Sequence, residues 1–278
     1  MTDAVELDEL RKLRALAELV AEEAGDLLSS WARRELSVRT KTSSSDPVSN
    51  ADEASERLIV DRLLAARPDD GILGEEEADN RAGTSGYRWV IDPLDGTVNY
   101  LYGIPQWCVS IALEDPAGDP VVGVVHDPNR HETFGTHAGG GASMNEANVR
   151  EHDLRVSQPR SLDTTLLTTG FAYDPAIRSA QATFFASLLG RVRDARRLGA
   201  AALDLAWVAA GRIDVYLENS LKRWDWAAGR LLVTEAGGVA HDLELDLGLE
   251  AAVDGLIAGG SAAVQNLLGE LGDRATLV

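Results

Sequence analysis

Asp92 and Asp95 stand three residues apart at the end of the apolar run Trp89-Val90-Ile91, with Pro93 between them and Gly96-Thr97 directly after. Two carboxylates at a strand end suit a hard divalent cation, and a helix start beside them offers free backbone N–H groups to an anion. Metal and phosphate chemistry can therefore meet there, provided a strand ends at Asp92 and a helix begins near Thr97. The same residues also suit an Asp-Pro turn followed by an aspartate cap. Three more acids occupy comparable positions: Asp46 before Pro47-Val48-Ser49, Glu75 in Gly74-Glu75-Glu76-Glu77, and Asp225 in Arg223-Trp224-Asp225-Trp226. Each alone reads as a cap or a turn residue.

The elements that must position these acids are legible in the hydrophobic pattern. Leu7, Leu10, Leu13, Ala17, Val20, Ala24, Leu27 and Trp31 follow helical spacing and predict a long amphipathic helix. A polar connection carrying Lys41, which reads equally as a solvated loop lysine, leads to a second helix. That helix starts at Ser49 or Asn50, turns Leu58, Ile59, Leu63 and Leu64 inward, and stops before Pro68. Ile72-Leu73 predicts a short buried strand ending at Glu75, and the polar segment 78–86 a loosely anchored loop. Residues 107–113 and 121–126 alternate around Asp115-Pro116-Ala117-Gly118-Asp119, a hairpin signal that disfavours a purely parallel sheet. From Leu154 onward strands alternate with helices at 175–189, 200–210, 225–236 and 261–271. No Pro-, Gly- or Ser-rich linker separates the halves. The expected fold is α+β in residues 1–152 and α/β in residues 153–278, two mixed sheets packed as one compact unit.

Composition narrows the chemistry. The 278 residues carry 45 acidic and 26 basic side chains, a net charge of -19, which repels nucleic acid and anionic lipid. An anionic substrate meets the same repulsion unless bound cations invert the local field. Cys108, the one cysteine, lies in an apolar run and is expected to be a core residue, and the five histidines form no ligand spacing and are expected on the surface or in hairpins. The acidic start lacks the features of a signal peptide, and no apolar run nears the roughly 20 residues that span a bilayer. A cytoplasmic protein without membrane or nucleic-acid partners is expected.

Gly74-Glu75-Glu76, Asp92-Pro93-Leu94-Asp95-Gly96-Thr97 and Trp224-Asp225-Trp226-Ala227-Ala228-Gly229, in this order and at these separations, resemble the inositol monophosphatase family. The likeness spans nearly the whole chain, since residues 46–52 and 199–204 are also similar to family segments. Ser49 replaces the usual threonine, and Asn145-Glu146 stands where the family generally has Asn-Gly. The resemblance implies a layered αβαβα sandwich of sugar-phosphatase type and hydrolysis of a phosphate monoester by water. It implies one magnesium ion on Glu75, Asp92 and the Leu94 carbonyl, a second on Asp92, Asp95 and Asp225, and room for a weaker third at Glu75. Thr97 would orient the attacking water and be held by the acid matching Asp46, with Glu75 assisting. Gly96 and Thr97 amides would receive the phosphate, while Ala201 and Glu218 would line the substrate pocket, although the latter pair read as well as a helix-start alanine and a strand-end carboxylate. Inositol 1-phosphate is the favoured substrate. Histidinol phosphate, fructose 1,6-bisphosphate and 3′-phosphoadenosine 5′-phosphate are the rivals. A protein-binding role in transcription complexes is the alternative of another class. The family resemblance also implies lithium sensitivity and a homodimer.

Overall fold

The structure, a computed structural model, describes residues 2–32, 38–40, 47–76, 80–146 and 149–278. Helix α1 (Thr2–Trp31) buries Leu10, Leu13, Ala17, Val20, Ala21, Ala24 and Leu28 on one stripe. Leu28 rather than Leu27 is fully buried, and Leu7 is exposed, because the stripe follows the helix's own 3.6-residue period. A ribbon of β1 (Val38–Thr40) and β2 (Pro47–Ser49) precedes α2 (Asn50–Ala66), which ends ahead of Pro68 as expected. In α2 the buried apolar residues are Ala51, Ile59, Val60 and Leu63, with Leu58 and Leu64 only partly covered.

The larger sheet has seven strands in sequence order: β3 (Gly71–Gly74), β4 (Arg88–Asp95), β5 (Cys108–Glu114), β6 (Pro120–Asp127), β7 (Glu132–His137), β8 (Ala142–Glu146) and β9 (Val149–Asp153). Only β3 and β4 pair in parallel; the hairpin signal between β5 and β6 is realised, and antiparallel pairing continues to β9. Short helix α3 (Thr97–Leu101) follows β4. The second sheet runs β11 (Asp194–Arg196), β10 (Leu166–Thr168), β12 (Val215–Asn219), β14 (Val253–Gly259), β13 (Val239–Leu245), β15 (Ala275–Leu277), parallel at β10 and antiparallel elsewhere. Helices α4 (Pro175–Leu189) and α7 (Ser261–Leu271) keep the bounds read from sequence, while α5 (Ala201–Ala209) and α6 (Arg223–Glu235) shift by one or two residues.

Strand alternation sorts side chains into layers. Trp89 and Ile91 of β4 pack on α1 and α2, while Val90 points to the opposite face with Cys108, Ala112, Val125 and Phe134, against α5 and α6. In β12, Tyr216 joins that same central cluster, and Val215 and Leu217 pack with Phe184, Leu188, Val264 and Leu267 of α4 and α7. The order is helices, sheet, helices, sheet, helices, the αβαβα sandwich expected. Helix α6 fits between strands and helix because it is narrow: a Cβ at Gly123 would lie 2.8 Å from the Ala228 carbonyl oxygen, and one at Gly229 would lie 2.5 Å from Leu205 Cβ.

Two expectations are refined. His126 and His137 lie in the β6–β7 hairpin, one of the two settings expected for the histidines, but are buried there, with His126 Nδ1 2.9 Å from Thr133 Oγ1. The segment after β3 is anchored over its described part: Arg81 exchanges backbone hydrogen bonds with Ile72, and the Thr84 and Ser85 amides donate to the Asp69 carbonyl at 2.7 and 3.0 Å. Among the described residues no helix is long and apolar enough to cross a membrane. The close approach at Gly123 predicts that Gly123→Val, which must push α6 off the sheet, costs roughly 1–3 kcal/mol of stability. An unchanged urea midpoint would contradict this packing.

Candidate active site

The strand carrying the central acids runs further than the sequence suggested. Against β5, Asp92 pairs with Ser110 and Asp95 with Cys108, so β4 holds one extra residue between them, a bulge that contains Pro93. Strand β4 therefore continues to Asp95, and Gly96, at φ +92, turns the chain into α3. A glycine is required at that left-handed position. The bulge re-aims the acids while Asp92 Oδ1 accepts from the Leu94 N–H at 3.1 Å. Glu75 arrives beside Asp92 because Gly74 pairs with Ile91 in the parallel β3/β4 ladder, and its own N–H donates to the Ile91 carbonyl at 3.2 Å.

Asp95 reaches the same cleft from the end of β4 and Asp225 from the first turn of α6, each held by backbone amides. Asp95 Oδ2 and Oδ1 accept from the Ala202 and Ala201 amides at 2.8 and 3.2 Å, so the acid caps α5. Asp225 Oδ2 accepts from the Lys222 N–H at 2.6 Å in the first turn of α6. Burial pushes the Asp92 carboxyl well above the ordinary carboxylate range, with the charges of Glu75, Asp95 and Asp225 adding to it. Burial likewise raises Asp225, and lifts Asp95 to about 6 against the pull of the Ala202 amide. Asp92 and Asp95 are almost fully covered, whereas Asp225 is recessed among protein atoms yet open to the cavity.

Among the described residues no group of three acids, histidines or cysteines stands at the separation that holds a metal ion. The acids are turned onto backbone amides, and yet Asp92 and Glu75 meet carboxyl to carboxyl. Such a contact needs a shared proton or a cation between the oxygens. Among the described residues no lysine or arginine forms an ion pair with Asp92, Asp95 or Asp225. An all-oxygen set of this kind fits a hard divalent cation.

Helix α2 supplies a polar stripe that the sequence reading passed over. Asp52, Ser55 and Glu56 are buried on the same side as Ile59 and Leu63. Thr97 Oγ1 lies 3.1 Å from both Asp52 Oδ1 and the Leu94 carbonyl, Ser55 Oγ donates to the Pro93 carbonyl at 2.9 Å, and Glu56 Oε2 accepts from the Glu76 N–H at 2.9 Å. The Thr97 hydroxyl thus meets Asp52, because the first turn of α2 faces the bulge; Asp46, the acid expected to hold it, and Lys41 lie outside the described residues. The available signal was three buried-phase polar residues spaced like the apolar ones that follow them. Cys108 is buried as expected, its Sγ 3.5 Å from Asp95 Oδ2, with burial holding the thiol well above its ordinary pKa.

The acids open into a cavity of about 810 Å³. Glu75, Asp95, Gly96 and Asp225 line it together with Gly170, Phe171, Arg197, Ala201 and Glu218. Tyr216 OH donates to Glu218 Oε2 at 2.8 Å, and burial raises Glu218 to about 7. Asp204, the lone acid of apolar helix α5, is buried with Oδ2 accepting from Thr168 Oγ1 at 2.8 Å, and burial raises its pKa.

The profile of the inositol monophosphatase family matches residues 9–272. A Nus factor SuhB of Xylella fastidiosa is 48% identical over 200 residues, 72% of this chain and 70% of that protein. The inositol-1-monophosphatase SuhB of Mycobacterium tuberculosis is 42% identical over 244 residues, 83% of each chain. Among solved structures, the extragenic suppressor protein suhB from Bartonella henselae has a TM-score of 0.84 at 36% identity, covering 94% of this chain and 99% of that one. Fold, gathered acids and relatives together define a phosphatase. The chain belongs to the inositol monophosphatase family.

The Asp52–Thr97 contact predicts that Asp52→Asn lowers kcat for phosphate-ester hydrolysis by at least about tenfold, a loss of about 1.4 kcal/mol, with little change in KM. A variant with wild-type kcat and an unchanged unfolding midpoint would remove Asp52 from the site.

Proposed function

We propose that this protein hydrolyses inositol 1-phosphate to inositol and phosphate in a magnesium-dependent reaction. The observation that carries the reading is the meeting of Glu75, Asp92, Asp95 and Asp225 in one cleft beside Thr97, with a larger hydroxyl-binding space beyond. Glu75, Asp92 and the Leu94 carbonyl would hold one ion; Asp92, Asp95 and Asp225 would hold a second, with Asp92 shared. Bound magnesium supplies an acidified water and electrostatic stabilisation of the leaving alkoxide. The Thr97 hydroxyl, fixed between Asp52 and the Leu94 carbonyl, orients the attacking water, and Asp52 accepts its hydrogen bond. The Gly96 and Thr97 amides receive phosphate oxygens at the head of α3. Glu218 Oε1, left over from the Tyr216 contact, accepts from a ring hydroxyl, and the small side chains Ala200–Ala202 let the ring approach the backbone.

Lithium inhibition and a cytoplasmic location belong to the same reading. Homodimer formation is supported by apolar side chains on the turn after α3, where Tyr102 is 80% and Ile104 47% exposed. A second role within transcription complexes is supported by relatives named Nus factor SuhB.

Removing one charged ligand by Asp95→Asn is expected to abolish magnesium-dependent hydrolysis while the fold persists, since one of the two amides that cap onto Asp95, Ala201 or Ala202, can still donate to the asparagine oxygen. Near wild-type turnover in that variant would sink the metal assignment. Glu218→Gln is expected to lower kcat/KM for inositol 1-phosphate more than for an aryl phosphate, which offers no ring hydroxyl. Equal losses on both esters would make Glu218 structural, and a wild-type preference for histidinol phosphate, fructose 1,6-bisphosphate or 3′-phosphoadenosine 5′-phosphate would change the substrate but not the metal chemistry.

A further inference from the structure

Arg197 lines the cavity with an exposed side chain, and among the described residues it takes part in no hydrogen bond or ion pair. Its neighbour Arg196 behaves as an ordinary surface arginine, pairing with Asp194 at 2.6 Å. Arg197 is different because the backbone makes room for it. Gly199 has φ +91, and a Cβ there would overlap the Arg197 guanidinium. Elsewhere in the lining Gly170 does the same for Glu218, since a Cβ at 170 would overlap the Glu218 carboxylate. Two glycines thus seat two opposite charges, near enough for the one to act on the other, in the pocket lining. The Arg197 charge acts on both Glu218 and Asp204, drawing each toward its ionised form. Tyr216 occupies Glu218 Oε2 and leaves Oε1 for a ligand.

We propose that Arg197 is a specificity-determining residue, its guanidinium donating to one hydroxyl of the substrate while Glu218 accepts from an adjacent one, so that the pocket selects phosphate esters of polyols. This deepens the phosphatase reading above and rests on it. A guanidinium only donates and a carboxylate only accepts, so a diol, whose hydroxyls do both, satisfies the pair at once. A second phosphate on the substrate matches the pair less well, because it would approach Glu218 and Asp204 as well as Arg197. Phe171 and Ile177, also in the lining, offer apolar surface to the ring carbons.

The test is kcat/KM with magnesium for inositol 1-phosphate, fructose 1,6-bisphosphate and 4-nitrophenyl phosphate, using the wild type, Arg197→Ala and Arg197→Lys. The Ala variant is expected to lose about tenfold more on inositol 1-phosphate than on 4-nitrophenyl phosphate, and the Lys variant to recover part of that loss, because an ammonium also donates to a single hydroxyl. Equal losses on the two esters, or a loss confined to the bisphosphate, would overturn the proposal, the latter making Arg197 an anion ligand. A wild type inactive on all three removes the phosphatase reading itself, an outcome distinct from either.

Discussion

Negative charge taken out of water is the constraint on which this structure depends. Asp92, Asp95, Asp225 and Glu75 share one cleft, and an ionised carboxylate held away from solvent costs several kcal/mol unless dipoles, protons or a cation offset it. Two helix starts supply the dipoles: α5 directs two amides at Asp95, and α6 directs the Lys222 amide at Asp225. The central helix layer between the sheets is thus tied to the chemistry as well as to the core. Its thin packing, on β6 through Gly123 and Ala228 and between α5 and α6 through Leu205 and Gly229, brings those helix starts close to the ends of β3 and β4.

The outer helix α2 contributes by a different route. Its buried stripe changes from Asp52, Ser55 and Glu56 to Ile59 and Leu63 along one face, so the same helix anchors in the core at one end and holds the bulge at the other. Ser55 fixes the Pro93 carbonyl, Asp52 the Thr97 hydroxyl and Glu56 the Glu76 amide, three contacts to two separate loops. A site supported from one rigid element keeps its geometry better than one resting on loops alone.

Much of this was legible in the sequence, for physical reasons that also mark the limits. The acids at 75, 95 and 225 stand out because each lies at the edge of an element, and Asp92 because Pro93 directly after it marks the bulge in β4. Helices α4 and α7 are legible because Pro175 and Ser261 stand at their starts and apolar periodicity carries through. Strand β13 was missed because His241, Asp242 and Glu244 interrupt its apolar residues while β14 and β15 pair with it on either side. The Asp52 contact was not legible because its partner hydroxyl lies 45 residues away, beyond any local signal. Arg197 was missed for a similar reason: its setting is made by Gly199 and by Glu218 on another strand, which only the fold brings together. Segment 80–86 reads as loose in composition, but Asp69, Asp70 and Ile72 take its backbone and side-chain donors.

The central claim is that the strand-end acids close on divalent cations, and crystals soaked in manganese with phosphate test it most directly through anomalous scattering. The account predicts anomalous peaks between Glu75, Asp92, Asp95 and Asp225, with phosphate oxygens beside Thr97. Manganese bound elsewhere with these carboxylates still turned onto the Ala201, Ala202 and Lys222 amides would contradict it.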